Sequence, residues 1–149
     1  MSLTRDVLSH SADETVSIGQ SVGQRLSGGE VVLLFGPLGA GKTQFVRGLS
    51  AGLGLDPAAI RSPSYALINE HEGRINLYHV DLYRLAAADL ADLGLEDLYG
   101  RKAVVAIEWA ERLEEAGWDL GRSIIVEIDY HPEQPETRII AIDDAVPPS

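Results

Sequence analysis

The chain has 149 residues, of which 12 are basic and 23 acidic, for a formal net charge of −11. Its length fits one domain, residues 1–149, and its 45% hydrophobic content is typical of a globular protein. An acidic chain without clustered basic residues is not expected to bind nucleic acid by itself. Because it has no cysteine, no apolar run of about 20 residues and no signal-peptide pattern, we expect a cytoplasmic protein without a membrane association.

The first elements in chain order are a helix and a buried strand. Ser11 and Glu14 form a capping-box pattern, and the residues behind them predict a helix over residues 15–26. Residues 31–35 are a continuous β-branched and apolar run, typical of a strand buried on both faces of a parallel sheet. A glycine-rich loop follows directly, and apolar residues at helical spacing then predict a helix that Gly54 ends.

The later elements continue this alternation of strands and helices. Residues 65–70 and 75–80 predict a hairpin, and residues 86–98 a helical stretch interrupted at Gly94. Residues 103–107 predict a second buried strand, and residues 124–130 and 137–142 a closing antiparallel pair. The order predicts an α/β fold, a three-layer sandwich with a central mixed sheet flanked by helices. The tail, residues 143–149, is expected to fray.

The loop after residues 31–35 matches G-x-x-x-x-G-K-[ST], the P-loop pattern of nucleoside triphosphatases, at every position. Its glycines can adopt positive φ, so that successive N–H groups point at phosphate oxygens, and the following helix directs its positive end there. Lys42 would supply a cation for the β- and γ-phosphates and Thr43 a hydroxyl ligand for Mg²⁺; a buried structural lysine is the alternative. The predicted phosphate-binding residues are Gly36, Pro37, Leu38, Gly39, Ala40, Gly41, Lys42 and Thr43.

The nucleotide is predicted to be ATP. Guanine-specific GTPases of the Ras type usually carry an N-K-x-D stretch after a later strand, and this chain has none. Together with the loop pattern and the element order, this predicts a P-loop NTPase sandwich, and we expect the protein to bind ATP and Mg²⁺.

Carboxylates are expected beside the loop, because phosphoryl transfer needs a metal, a positioned nucleophile and charge stabilisation. Glu108 ends the predicted strand of residues 103–107, where it would hold Mg²⁺ through water or orient the attacking water; an exposed glutamate is the alternative. Asp81 follows residues 75–80, and the pattern leaves a Mg²⁺ ligand and a helix N-cap equally open. His79 is interpreted as a packing or hydrogen-bonding residue rather than a base.

Three further features each have two interpretations. Trp109 either stacks on a ring or fills a gap in the core, and the second is commoner for a lone tryptophan. Arg84 and Arg112 are each either an arginine finger within the chain or an exposed surface residue, which is the default. Ser62-Pro63-Ser64 is either a switch that senses the γ-phosphate or an ordinary loop.

Five motifs occur in an order and at spacings that resemble one known family. They are Gly36 to Thr43, Ser62-Pro63-Ser64-Tyr65, Tyr78-His79-Val80-Asp81-Leu82-Tyr83-Arg84-Leu85, Leu93-Gly94-Leu95 and Ile107-Glu108-Trp109-Ala110-Glu111. Together they resemble the TsaE (YjeE) family, the P-loop ATPases of bacterial tRNA N6-threonylcarbamoyladenosine biosynthesis. The resemblance covers about residues 13–142, and the combination with Y-H-x-D-L-Y-R and E-W is much more specific than the P-loop alone.

The resemblance implies a Mg-dependent ATPase that is weak in isolation and stimulated by partner proteins. It implies a partnership with the TsaD–TsaB pair, which modifies adenosine 37 of tRNAs that read codons beginning with A, so that tRNA is contacted mainly through the partners. It implies Lys42, Asp81 and Glu108 as catalytic residues, and Thr43, Asp81 and Glu108 at the metal. It also implies that Trp109 lines the nucleotide site, and adenine contacts are expected from residues 11–15.

Two departures from the family pattern are visible. The usual S-P-T-[FY] is S-P-S-Y here, which keeps the hydroxyl, and the usual E-W-P is E-W-A, which puts in doubt the rigidity that proline gives the turn. A small-molecule P-loop kinase is the main alternative, although no arginine-rich insert lies between residues 86 and 120. A non-hydrolysing, nucleotide-dependent interaction module is the second alternative.

Overall fold

The computed structural model describes residues 4–61, 68–99 and 101–143. Within them, seven strands form one mixed sheet in the order β1-β7-β6-β2-β5-β4-β3. The strands are β1 (Thr4–Ser9), β2 (Val31–Phe35), β3 (Ile68–His71), β4 (Asn76–Asp81), β5 (Ala103–Glu108), β6 (Ile124–Tyr130) and β7 (Arg138–Asp143). The helices are α1 (Ala12–Gly23), α2 (Lys42–Gly52), α3 (Leu95–Leu98) and α4 (Glu111–Glu115), with 3-10 helices at Pro57–Ala59 and Ala87–Leu93.

Four neighbouring strands form the parallel centre of the sheet. β2 pairs in parallel with β5 and with β6, and β4 pairs in parallel with β5. The carboxyl ends of these strands therefore meet at one edge, where α/β sheets bind ligands. The register places Glu108 beside both Leu34 and Asp81, so that Glu108 lies next to the strand that leads into the P-loop and Asp81 lies one strand further away.

The sheet is buried on both faces, as the apolar run of residues 31–35 predicted. Val32 and Leu34 pack with α1 and α2 in one core cluster, and Leu33 and Phe35 pack in a second cluster on the opposite face. The α/β three-layer sandwich with a mixed sheet is thus confirmed.

The predicted elements differ from the structure mainly at their ends. α1 begins three residues before the predicted residue 15 and ends at Gly23, and the Ser11 hydroxyl accepts from the Glu14 N–H at 3.0 Å as a capping box requires. The Glu14 carboxylate bonds the His10 N–H at 2.6 Å rather than that of Ser11. The predicted helical stretch over residues 86–98 is a 3-10 helix and a short α-helix, separated by Gly94 at φ 75°.

Strand β1 was not predicted at all. Its six residues, TRDVLS, contain neither a continuous apolar run nor an alternation of apolar and polar side chains, and its partner is β7, at the far end of the chain. The pairing also corrects the start of the expected tail, because Asp143 lies in β7 opposite Thr4; residues 144–149 lie outside the described residues. The hairpin of β3 with β4 and the antiparallel pair of β6 with β7 are confirmed.

Candidate functional site

The P-loop has the backbone geometry that its glycines predicted. Gly36, Gly39 and Gly41 adopt φ values of 146°, 77° and 115°. At Gly36 a Cβ would also lie 2.2 Å from the Ile128 carbonyl oxygen, so both conformation and space require glycine. Gly41 is the N-cap of α2 and has no side chain to cap it. The first N–H groups of α2 therefore remain available to an anion held in the loop.

Lys42 is buried inside this loop. Only 5% of the residue is exposed, and its ammonium group donates to the carbonyl oxygens of Gly36 and, at 3.1 Å, of Pro37. The ammonium also lies 3.9 Å from the centre of the Trp109 ring. Burial lowers the pKa of Lys42, and the carboxylates of Glu111, Glu108 and Asp81 oppose that shift. The group is thus a poorly solvated cation facing a cluster of negative charge.

Glu108 is bound to the first turn of α2 across the edge of the sheet. The Thr43 hydroxyl donates to its carboxylate at 2.9–3.0 Å, and the His79 Nε2 lies 2.5 Å from its Oε2. Glu108 is only 3% exposed, so the interpretation as an exposed strand-end glutamate is wrong. His79 is a buried hydrogen-bonding residue, as the sequence suggested, and its partner is the predicted catalytic carboxylate.

Asp81 caps a turn and not a helix, and its role as a Mg²⁺ ligand stays a prediction. Its Oδ1 accepts the Tyr83 N–H at 2.9 Å, as a capping side chain does. It also stands opposite Glu108 in the register and acts on the charge of Lys42. The local turn and the proximity to the cationic site are compatible, because a carboxylate has two oxygens.

Trp109 both packs and faces the site. Its φ of 60° is unusual for a bulky residue and marks a strained turn directly after β5. One side of the ring meets Tyr83 at a centroid distance of 4.8 Å, and the Lys42 ammonium lies over the ring. Arg112 donates to the Tyr83 carbonyl at 3.2 Å and therefore steadies this arrangement. Arg84 is exposed, as expected by default.

Three residues touch the P-loop that the sequence did not single out. The Glu111 carboxylate accepts the Gly36 N–H at 2.9 Å. The Tyr130 hydroxyl donates to the Leu38 carbonyl at 2.5 Å, and the Arg138 Nε donates to the Ala40 carbonyl at 3.2 Å. Glu111 could have been noticed, since it lies three residues after Glu108 within the quoted motif. Tyr130 and Arg138 carry no local signal, because strand pairing alone brings them to the loop.

Two predicted parts of the site have different outcomes. Residues 11–15, expected near adenine, do approach the P-loop, because a Cβ at Gly41 would lie 3.8 Å from the Thr15 Cγ2. The adenine contact itself stays a prediction. Ser62-Pro63-Ser64 and Tyr65 lie outside the described residues.

The residues fit a metal that is shared with phosphate rather than held by protein alone. Among the described residues, no three histidine, cysteine or carboxylate side chains are grouped to hold a metal ion. Mg²⁺ in nucleotide sites typically takes one or two protein oxygens, phosphate oxygens and waters. A hydroxyl at Thr43 beside a buried carboxylate at Glu108 is such a set.

No helix in the described part of the chain has the length and apolarity to cross a membrane.

Comparisons with known proteins show which family the chain resembles. Residues 9–140 match the model of the family described as Threonylcarbamoyl adenosine biosynthesis protein TsaE. The TsaE protein of Treponema pallidum is 45% identical over 71% of this chain and 78% of its own length. The TsaE protein of Aquifex aeolicus is 37% identical over 89% and 92%. The crystal structure of Bacillus subtilis YdiB superimposes with a TM-score of 0.77, at 28% identity, over 96% of this chain and 86% of that one.

The family match spans most of the chain and includes the P-loop, Asp81 and Glu108-Trp109. Two relatives above 30% identity cover more than two thirds of it. The chain belongs to the TsaE family of threonylcarbamoyladenosine biosynthesis proteins.

Proposed function

We propose that this protein is a Mg²⁺-dependent ATPase that serves the threonylcarbamoylation of adenosine 37 in tRNAs reading codons that begin with A. The observation that carries the proposal is the hydrogen bond from Thr43 to the buried Glu108, formed beside Lys42 in a P-loop. It joins a metal-binding hydroxyl, a carboxylate and a phosphate-binding cation at one edge of the sheet. That is the set of groups that phosphoryl transfer from a nucleotide requires.

Each residue has a role that follows from its position. The loop N–H groups and the start of α2 bind the phosphates, and Lys42 leaves the carbonyl oxygens of Gly36 and Pro37 to contact the β- and γ-phosphates. Mg²⁺, when bound, neutralises charge on the phosphates and would be held by Thr43, with Asp81 and Glu108 on the metal side. Trp109 covers the site beside Lys42 and lines the nucleotide.

Glu108 is proposed to orient the water that attacks the γ-phosphate. Its burial keeps its carboxylate out of bulk water, and the bonds from Thr43 and His79 hold both the position and the direction of its oxygens. A positioned carboxylate of this kind typically contributes about 10²–10⁴-fold to a reaction that moves a proton.

The family match supports the pathway, and the partners are part of the proposal. The curated relatives are named as tRNA threonylcarbamoyladenosine biosynthesis proteins. The net charge of −11 disfavours direct tRNA binding, so we propose that the chain acts through the TsaD–TsaB pair in the cytoplasm and contacts tRNA mainly through that pair.

The test is ATP turnover by the purified chain, measured as phosphate release with Mg²⁺, alone and with the TsaD–TsaB pair. We expect slow release that the pair stimulates, and a loss of about 100-fold or more in kcat for Glu108→Gln with nucleotide affinity retained. Glu114→Gln is the matched control, since Glu114 lies exposed in α4 and should leave kcat unchanged.

Other results would favour the alternatives. Phosphate transferred to a small-molecule acceptor faster than to water would indicate the kinase. Tight ATP binding without turnover, with or without the pair, would indicate the non-hydrolysing interaction module.

A further inference from the structure

We propose that His79 is a positioning residue that holds the Glu108 carboxylate in its hydrolytic orientation; this inference rests on the proposed ATPase function. His79 lies in β4, one strand away from Glu108 in β5. It does not reach the P-loop in any described hydrogen bond, and so it would act through Glu108 rather than on the nucleotide.

Among the described residues, the His79 side chain makes one polar contact, with Glu108. The residue is fully buried at 0% exposure, and its Nε2 lies 2.5 Å from the Glu108 Oε2. Its Nδ1 is buried as well and has no hydrogen-bond partner among the described groups. A histidine selected only to fill this space would gain nothing from its two nitrogens, because burying an unpaired polar atom costs free energy that an apolar side chain avoids.

The bond to His79 matters most when the nucleotide site is in use. In this structure Glu108 accepts from two donors, the Thr43 hydroxyl and the His79 imidazole. Thr43 is also proposed to bind Mg²⁺ through its hydroxyl oxygen, so the direction of its O–H is set by the metal as well as by Glu108. His79 is the other described donor, and it has no second polar contact among the described groups that would draw it away from the carboxylate. Groups that orient an active-site ligand in this way typically affect activity by about 10–100-fold.

Packing is the competing explanation, and neighbouring side chains separate it from positioning. Leu77 lies on the same face of β4 as His79 and is equally buried, but its register partner is Val104, four residues before Glu108. Gln and Asn are both neutral amides, and only the longer Gln places its N–H₂ group where the imidazole Nε2 lies. His79→Gln and His79→Asn therefore differ in reach and not in polarity.

The kinetic experiment uses the full chain with ATP, Mg²⁺ and the TsaD–TsaB pair. We expect His79→Leu and His79→Asn to lower kcat by about 10–100-fold with KM changed less than about threefold, and His79→Gln to restore kcat to within about threefold of wild type. Leu77→Ala should lower the urea midpoint as much as His79→Leu while keeping kcat within about twofold. In a Glu108→Gln background, His79→Leu should change kcat by less than about twofold, because the two substitutions remove the same interaction, the one between His79 and Glu108.

A spectroscopic measurement tests the contact without nucleotide or turnover. In the free protein, the ¹⁵N and ¹H resonances of the His79 ring should shift strongly on Glu108→Gln and stay unchanged on Glu114→Gln. This measurement also tests the contact between His79 and Glu108 if the His79→Leu variant does not fold, since it needs no substitution at His79.

Each result supports or overturns the assignment. An equal loss of kcat in Leu77→Ala, no recovery in His79→Gln, a full additional loss in the Glu108→Gln background, or His79 resonances indifferent to Glu108 would each overturn it. A wild-type chain that releases no phosphate overturns the proposed function instead. A wild-type chain that hydrolyses ATP and is unaffected by His79→Leu overturns only the positioning role.

Discussion

The two helical layers of this protein are packed in different ways. On one face of the sheet, α1 and α2 touch through backbone at four glycines, two in each helix. A Cβ would lie 2.3 Å from the Phe45 oxygen at Gly19 and 2.1 Å from the Val16 oxygen at Gly48. The equivalent distances are 2.4 Å at Gly23 and 2.5 Å at Gly52. The spacing of four residues in each helix puts both glycines on the contact face.

On the other face the packing is made by side chains of short elements. The 3-10 helix Ala87–Leu93, α3 and α4 cover that face with leucines, with Trp109 and Trp118 at the margin. Side chains can change rotamer to absorb a small change in shape, whereas two backbones in contact cannot.

The contrast explains how the site is assembled. The P-loop helix α2 is fixed from one layer, and the residues that act on the loop's charge, Asp81, Glu108 and Glu111, come from the strands' ends and the other layer. The proposed nucleotide site thus lies between a layer of fixed geometry and one that packs by side chains.

The largest expected effect is on the glycine contact. Gly19→Ala should destabilise the protein by about 3 kcal/mol, because the steric cost exceeds the helix propensity gained, which is about 1 kcal/mol. Urea unfolding measures it. Ser21→Ala in the exposed face of the same helix should stay within about 0.5 kcal/mol. A Gly19→Ala protein as stable as wild type would mean that the helices are further apart than described.

The next largest effect is expected at Lys42, in the proposed nucleotide site between the two layers. Lys42→Met should weaken ATP binding by about 100-fold, close to 3 kcal/mol, because the charge-assisted contacts to the phosphates are lost. The nucleotide-free protein should not lose stability, since burial of this cation is unfavourable and lowers its pKa. Calorimetric titration and thermal unfolding measure the two quantities. A variant that binds ATP normally would remove Lys42 from the phosphate site.

A smaller effect is expected where side chains carry the packing. Leu113 in α4 is 1% exposed within the second core cluster. Leu113→Met should cost less than about 1.5 kcal/mol, because the volume is conserved and methionine is flexible. If this change cost as much as Gly19→Ala in urea unfolding, the two layers would not differ in tolerance.

The sequence predicted those parts of the fold whose signal is local. The run of residues 31–35 is apolar at every position because both faces of β2 are covered, and the P-loop needs its glycines for positive φ. Lys42, Thr43 and Glu108 could be placed for the same reason, since each lies at a strand or helix end that the pattern defines.

What was missed depends on distant contacts. Among the described strands, β1 pairs only with β7, and Tyr130 and Arg138 bond loop residues that lie more than ninety positions earlier in the chain. The hydrogen bonds of Glu108 to Thr43 and His79 were likewise not predicted, because both partners lie on other elements. The glycines of α1 and α2 are evident in the sequence, but their role in packing could not be inferred without knowing that these two helices are in contact.

The smallest expected effect is on the pH dependence of stability, and it tests β3 at the edge of the sheet. His71 in β3 has a buried Nε2 without a partner among the described groups, and burial, followed by the charge of His79, lowers its pKa from 6.5. Because the unfolded chain then binds the proton more readily, stability is fully present above the unfolded pKa and is lost as pH falls through the folded pKa. His71→Gln should therefore match wild type in urea midpoint at pH 8 and lose less between pH 7 and pH 5. Parallel losses would show that His71 is as readily protonated in the folded protein as in the unfolded chain.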